Sequence, residues 1–233
     1  PEATFSYGCE YNSNYSLEFD GVDDYVSFEQ PELLDNKKTI SFFIKPLNGH
    51  QPGDLEENLI SHRNWAGDFE GIGIYLDDLG AIRLSNDPGV EENIELISNK
   101  NSWNDEWYHI AFTIDDLDNV ARIYINGVLD NQIDWSNGNS FTDANYNMIF
   151  GKHIGENLYY FQGLMDDVKI WNRSLSQIEI LESLFSTDYD DDSLIGHWSF
   201  NNPPDLELID LSVNENHGTI NGATWTQNIP GCT

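Results

Sequence analysis

The sequence predicts an all-β fold, an antiparallel two-sheet jelly-roll sandwich with one short helix near residues 177–185. Three observations predict it. Short segments that alternate polar and apolar residues recur along the chain, each bounded by Gly, Asn, Asp or Pro. Apolar residues at helical spacing occur once, after a capping sequence. The 7 Trp, 11 Tyr and 12 Phe are bulky enough to fill the space between two sheets.

The elements follow in order. Residues 1–14 carry turn residues without periodicity and read as a leader or linker remnant. Tyr15–Phe28 holds two short strands, YSLEF and YVSF, separated by the turn Asp20-Gly21-Val22-Asp23-Asp24. Thr39–Lys45, Asn58–Arg63, Gly71–Leu76, Ala81–Ser85 and Glu95–Ser98 read as further strands. Trp107–Ile114 and Val120–Ile125 form a pair, and Asn126-Gly127 turns the chain into Val128–Ile133. Met148–Gly151 and Leu164–Trp171 follow, then Ser176-Gln177-Ile178-Glu179 caps the helix. Leu194–Phe200 and Gly218–Trp225 end the pattern. No linker divides residues 15–228, so one domain is expected, with 194–225 adding strands and 229–233 starting another linker.

A net charge of −31 excludes nucleic acid as a partner, because phosphates are repelled and no basic stripe exists to hold them. No apolar run of 18 residues exists, so membrane insertion is not expected. The two cysteines, Cys9 and Cys232, stand near opposite ends. Sandwich termini often lie close together, which allows them to pair, and disulfide usage with few basic residues fits a secreted, extracellular or cell-surface protein.

Four stretches in order carry a family resemblance: SLEFDGVDDYVSF (16–28), TISFFIKP (39–46), WYHIAFTIDDLDNVARIYINGVL (107–129) and FQGLMDDVKIWNRSLS (161–176). They resemble the laminin-G-like, concanavalin A-like lectin and glucanase domains of secreted bacterial proteins of the marine Bacteroidetes type, distant relatives of pentraxins. The ends, with Gly8-Cys9-Glu10-Tyr11 and Gly231-Cys232-Thr233, resemble halves of a cysteine-bearing linker repeat. That resemblance implies adjacent repeats of the same chain, with each cysteine bonding inside a neighbouring linker.

The Asp20–Asp24 turn offers three carboxylates, hard oxygen ligands of the kind Ca2+ takes. In related jelly rolls a structural cation sits where the first strands meet the closing strand. The resemblance therefore implies Asp20, Gly21, Asp166 and Asp167 as ligands, then Asp24, with Asp210, Asn214 and Asn216 in a second oxygen-rich loop. Adjacent residues on a strand point to opposite faces, so one of Asp166 and Asp167 is expected to reach the Asp20-Gly21 turn.

The glucanases of this fold use carboxylates on one strand spaced as Glu-x-Asp-x-x-Glu, and that pattern is missing here. Acid pairs such as Asp77-Asp78, Glu91-Glu92 and Asp115-Asp116 lie in turns and diverge. No enzyme is expected. The histidines at 50, 62, 109, 153, 197 and 217 lack ligand spacing and read as ordinary surface or partly buried residues, against a zinc site. Trp65, Trp103, Trp135, Tyr159 and Tyr160 lie in or beside polar loops and are candidate sugar platforms, whereas Trp107, Trp171 and Trp198 fit core patterns. The expected function is a non-catalytic extracellular binding or adhesion module, calcium-stabilised and one unit of a larger surface protein, with a glycan or cell-surface protein as partner. The alternative is a carbohydrate-binding module attached to a polysaccharide-degrading enzyme.

Overall fold

The computed structural model describes residues 15–29, 37–63, 71–86, 94–136, 141, 147–153, 158–185 and 191–231. Its strands are β1 (Ser16–Asp20), β2 (Tyr25–Phe28), β3 (Lys37–Pro46), β4 (Glu57–Arg63), β5 (Gly71–Leu76), β6 (Ile82–Ser85), β7 (Glu95–Ile97) and β8 (Tyr108–Asp115). Then come β9 (Val120–Ile125), β10 (Val128–Asp134), β11 (Met148–Phe150), β12 (Gln162–Trp171), the helix α1 (Gln177–Ser183), β13 (Leu194–Trp198), β14 (Glu207–Leu208), β15 (Gly218–Asn221) and β16 (Thr224–Thr226). They form two antiparallel sheets. The first runs β10-β9-β8-β3-β12-β1-β16, with β13 also paired to β12; the second runs β14-β15-β2-β11-β4-β5-β6-β7. This is the expected jelly-roll sandwich.

The inner faces meet over the apolar residues that the alternation picks out. Leu17, Phe19, Phe42, Ile44, Ile110 and Phe112 of the first sheet pack with Val26, Phe28, Ile60, Ile74 and Phe150 of the second. Trp198 of β13 crosses the gap, edge-on to Phe28 at 5.0 Å and to Phe150 at 5.5 Å. Each such pair adds about 0.5–1.5 kcal/mol to the burial itself. The C-terminal strands are therefore part of the core.

Two features depart from simple alternation. Every residue of β8 is buried, because the outer face of the first sheet is covered too. There Ile180 of α1 joins Ala111, Tyr124, Trp171, Leu175 and Leu194 in a second apolar cluster. The helix starts on the predicted capping box, Ser176 accepting from the Glu179 N–H and Glu179 accepting from the Ser176 N–H, a cap worth about 1 kcal/mol.

The second departure is in β12. Asp166 stands opposite Phe43 but Lys169 opposite Ser41, so one extra residue is inserted, with Asp167 in the left-handed region at φ 48°. The bulge switches the inward set from Met165 to Val168 and Ile170. The segment Gly218–Trp225, read as one strand, is two. Gly222, at φ 82°, turns the chain from β15 in the second sheet to β16 in the first. The short strand β14 has too few residues to show a period and was not expected.

Candidate functional site

The turn between β1 and β2 is built by its own carboxylates. Asp20 Oδ1 accepts the N–H of Val22 at 2.8 Å and of Asp23 at 3.3 Å, while Asp24 Oδ2 accepts the N–H of Asp20 at 2.9 Å. Gly21 takes φ 78°, a conformation that favours glycine, and a Cβ there would sit 2.9 Å from Gln162 Cβ. One oxygen from each of Asp20, Asp23 and Asp24 lies within 4.8 Å of the others. Asp20 and Asp23 are exposed and Asp24 is buried. No Lys or Arg among the described residues pairs with them. Burial pushes the Asp24 carboxyl up, the Asp20 N–H pulls it down, and the charges of Asp20, Asp23 and Glu18 push it up again.

Two neighbouring segments complete this rim. Asn221 pairs with Tyr25, which brings Gly222 against Asp24; a Cβ at Gly222 would sit 2.0 Å from Asp24 Oδ1. Phe150 pairs with Val26, so Gly151 and Lys152 continue past β11 beside Tyr25. Lys152 Nζ lies 4.8 Å from the Tyr25 ring centre and 5.5 Å from that of Tyr160. The acid turn fits a calcium ion, since it clusters hard oxygen donors without a compensating cation. Asp23 was counted among the turn's three carboxylates but not among the implied ligands, and Tyr25 and Lys152 were not singled out from sequence, because nothing local marks residues that meet only through strand register.

Asp166 and Asp167 are elsewhere. In the β1–β12 register Asp20 faces Gln162, which leaves Asp166 four residues, about 13 Å, along the strand. The expected reach to the Asp20-Gly21 turn does not occur, nor do the two acids diverge, because the bulge puts both on the outer face. Asp167 accepts from Lys169 Nζ at 2.7 Å and lies 2.8 Å from His197 Nε2. Lys169 Nζ also donates to the Ser183 carbonyl at 3.0 Å, which ties the end of α1 to the sheet. Despite its burial, Asp167 is held well below the usual carboxylate range by Lys169 and His197. Burial raises Asp166 well above that range, and the Asp167 charge adds to the effect.

Asp210 lies in a third place. Its carboxylate accepts the N–H groups of His197, Ser212 and Asn216 at 2.8, 2.9 and 2.9 Å and the Ser212 hydroxyl at 2.8 Å. Asn214 donates to the Ile195 carbonyl, and the Asn216 carbonyl accepts from Trp198 Nε1. This loop satisfies its own oxygens.

The candidate sugar platforms divide. Trp103 is fully buried, donates to the Gly80 carbonyl at 2.8 Å and packs edge-on to Tyr108. It is a core residue, because its backbone pairs with His50 and turns the ring inward. Trp135 is half-buried against Phe141. Tyr159 is 39% exposed and Tyr160 half-buried, both beside the acid turn's rim. Trp65, Cys9 and Cys232 lie outside the described residues. The histidines also correct the expectation: His50, His62, His109, His153 and His197 are all buried, and only His217 is exposed.

A laminin G-type family model, described as the concanavalin A-like lectin/glucanases superfamily, matches residues 20–181, well over half of the chain. The chain belongs to that superfamily. No curated protein matches its sequence. Among solved structures, the superfamily fold recurs in a candidate carbohydrate-binding protein of Bacteroides ovatus, with a TM-score of 0.73 at 17% identity. That match covers 93% of this chain and 60% of the other, so the chain spans less than two thirds of that protein. A heptameric SAP-like pentraxin of Limulus polyphemus matches with a TM-score of 0.53 at 16% identity, over 72% of this chain and 81% of the other. The CBM40 module of a Ruminococcus gnavus sialidase, bound to α2,3-sialyllactose, matches with a TM-score of 0.55 at 13% identity, over 73% of this chain and 98% of the other. At these identities the likeness is one of fold. No helix among the described residues is long and apolar enough to cross a membrane.

Proposed function

We propose that the chain is a non-catalytic, extracellular glycan-binding module whose acid turn holds a structural calcium ion. The observation that carries the calcium reading is the turn itself, with three carboxylates within 4.8 Å and no cationic partner among the described residues. Asp20, Asp23 and Asp24 supply the oxygens. The ion neutralises their mutual repulsion and fixes the entry to β2. The glycan reading is supported by the lectin-like fold and by the tyrosines that share the rim. Lectin and carbohydrate-binding neighbours favour it over a cell-surface protein as ligand.

The path of the chain supports a module inside a longer surface protein. Ser16 Oγ donates to the Asn228 carbonyl at 2.7 Å, so entry and exit lie side by side at the start of β1. The acid turn is at the other end of that strand. Attachment through both ends therefore leaves the rim open, whether the neighbours are repeats of this unit joined by linkers bearing Cys9 and Cys232 or a catalytic domain.

The calcium reading is tested by thermal melting. Saturating calcium, at about a hundred times its dissociation constant, adds about 2.7 kcal/mol. The expected rise in Tm over an EDTA-treated sample is about 5–10 °C, and Asp24→Asn abolishes it. Equal melting with and without EDTA sinks the site. For the glycan reading, the chain is applied to immobilised oligosaccharides with and without chelator. Binding to none of them in either condition defeats it.

A further inference from the structure

The rim next to the acid turn carries a second, chemically different patch. Tyr25, Lys152 and Tyr160 are each half-buried, with the ammonium of Lys152 held over both rings. Tyr159 stands beside them with its backbone in the left-handed region at φ 59°. Its carbonyl accepts the Asn58 N–H at 2.9 Å and its ring leans on buried His153 at 6.0 Å. A non-glycine residue is disfavoured in that region, and here the Asn58 and His153 contacts hold it. The result is an exposed ring in a fixed place. These rings are anchored by β2, by β11 through Gly151, and by the Asn58 end of β4, so they are set before any ligand arrives.

We propose that Tyr25, Tyr159, Tyr160 and Lys152 form a subsite for a neutral pyranose, an assignment that rests on the glycan-binding reading above. A sugar ring offers two surfaces, an apolar C–H face and a rim of hydroxyls. Tyrosine rings stack on the first, while phenol hydroxyls and the lysine ammonium meet the second. The charge balance selects against acidic sugars. A single lysine belongs to the patch, and the chain as a whole carries −31.

The test uses the whole chain on an array of neutral gluco-, manno-, galacto- and xylo-oligosaccharides, with sialyllactose and sulfated galactans as acidic probes. Tyr160→Ala, Lys152→Gln and Tyr25→Leu are compared with the unaltered chain, and melting is followed for each. The expected result is binding to at least one neutral probe. Each substitution weakens it tenfold or more, while Tm stays within a few degrees, and the affinity does not change between 0.05 and 0.5 M NaCl. Variants that bind a neutral probe as tightly as the unaltered chain overturn the subsite while leaving the glycan reading intact. Binding confined to the acidic probes overturns the class of sugar. If the unaltered chain binds no probe, the broader reading fails first and the subsite with it.

Discussion

Between pH 7.5 and pH 4 the buried imidazole of His109 is expected to cost the protein stability, and His109→Gln is expected to remove that contribution. His109 is 3% exposed, with Phe43 edge-on to it at 4.9 Å and its Nδ1 without a partner among the described residues. Burial, aided by the Lys169 charge and opposed by Asp167, pushes it from 6.5 down to about 3. The sign follows from linkage. Below pH 6.5 the unfolded chain takes up a proton on this histidine that the folded chain refuses until about pH 3, so stability is complete above that window and falls within it. Each pH unit costs about 1.4 kcal/mol, which over this range is a fall in Tm of about 10 °C. Other acids titrate in the same range, so the quantity to measure is the difference between the Tm–pH curves of the two proteins. Parallel curves would mean that the imidazole is protonated in the fold.

Lys169→Met is expected to cost about 3 kcal/mol, at the low end of the range for breaking a buried ion pair. Lys169 is 3% exposed, but its partner Asp167 keeps 26% of its side chain in contact with water, which softens the loss. The substitution leaves Asp167 beside the buried Asp166 carboxyl and frees the Ser183 carbonyl, the anchor for the end of α1. Chemical denaturation gives the cost. Hydrogen exchange is expected to quicken at Ile180 and Leu184 before it does in β8. Adding Asp167→Asn removes the stranded charge, so the double variant recovers about 1–2 kcal/mol of the sum of the two single losses. Strict additivity, or a single-variant loss below about 1 kcal/mol, rules out the tie between helix and sheet.

A third result follows from the same cluster. Asp166 is a carboxyl whose charged form is disfavoured in the fold, so it contributes stability that is present below its unfolded pKa and lost as pH rises through its raised folded value. Asp166→Asn keeps an acceptor for the Asp167 N–H, which lies 2.7 Å from Asp166 Oδ1. It is expected to raise Tm at pH 7.5 and to have no such effect at pH 3. A lower Tm at pH 7.5 would place a charge-stabilising group at Asp166.

The strands were legible because short runs rich in β-branched and aromatic residues are bounded by turn residues. GIGIYL and VARIYI coincide with β5 and β9, and Asn126-Gly127 takes the left-handed pair of angles its hairpin requires. The cap at Ser176 was equally local. The acid turn could be seen as a run of carboxylates, since Asp20, Asp23 and Asp24 are close in sequence as well as in space.

What the tertiary structure decided involves partners distant in the chain. At Asp166-Asp167, alternation put the acids on opposite faces, but one inserted residue against β3 turned both outward, toward His109, Lys169 and His197. A bulge depends on the strand opposite, and no local pattern announces it. Trp103 stands in a polar loop by sequence, yet is buried through a backbone bridge to His50. Lys152 meets Tyr25 only because β11 pairs with β2 in one register. The sequence alone determined which segments alternate and where the chain turns. Pairing across more than a hundred residues determined which charges meet, and that is what separates the acid turn at the rim from the buried acids of β12.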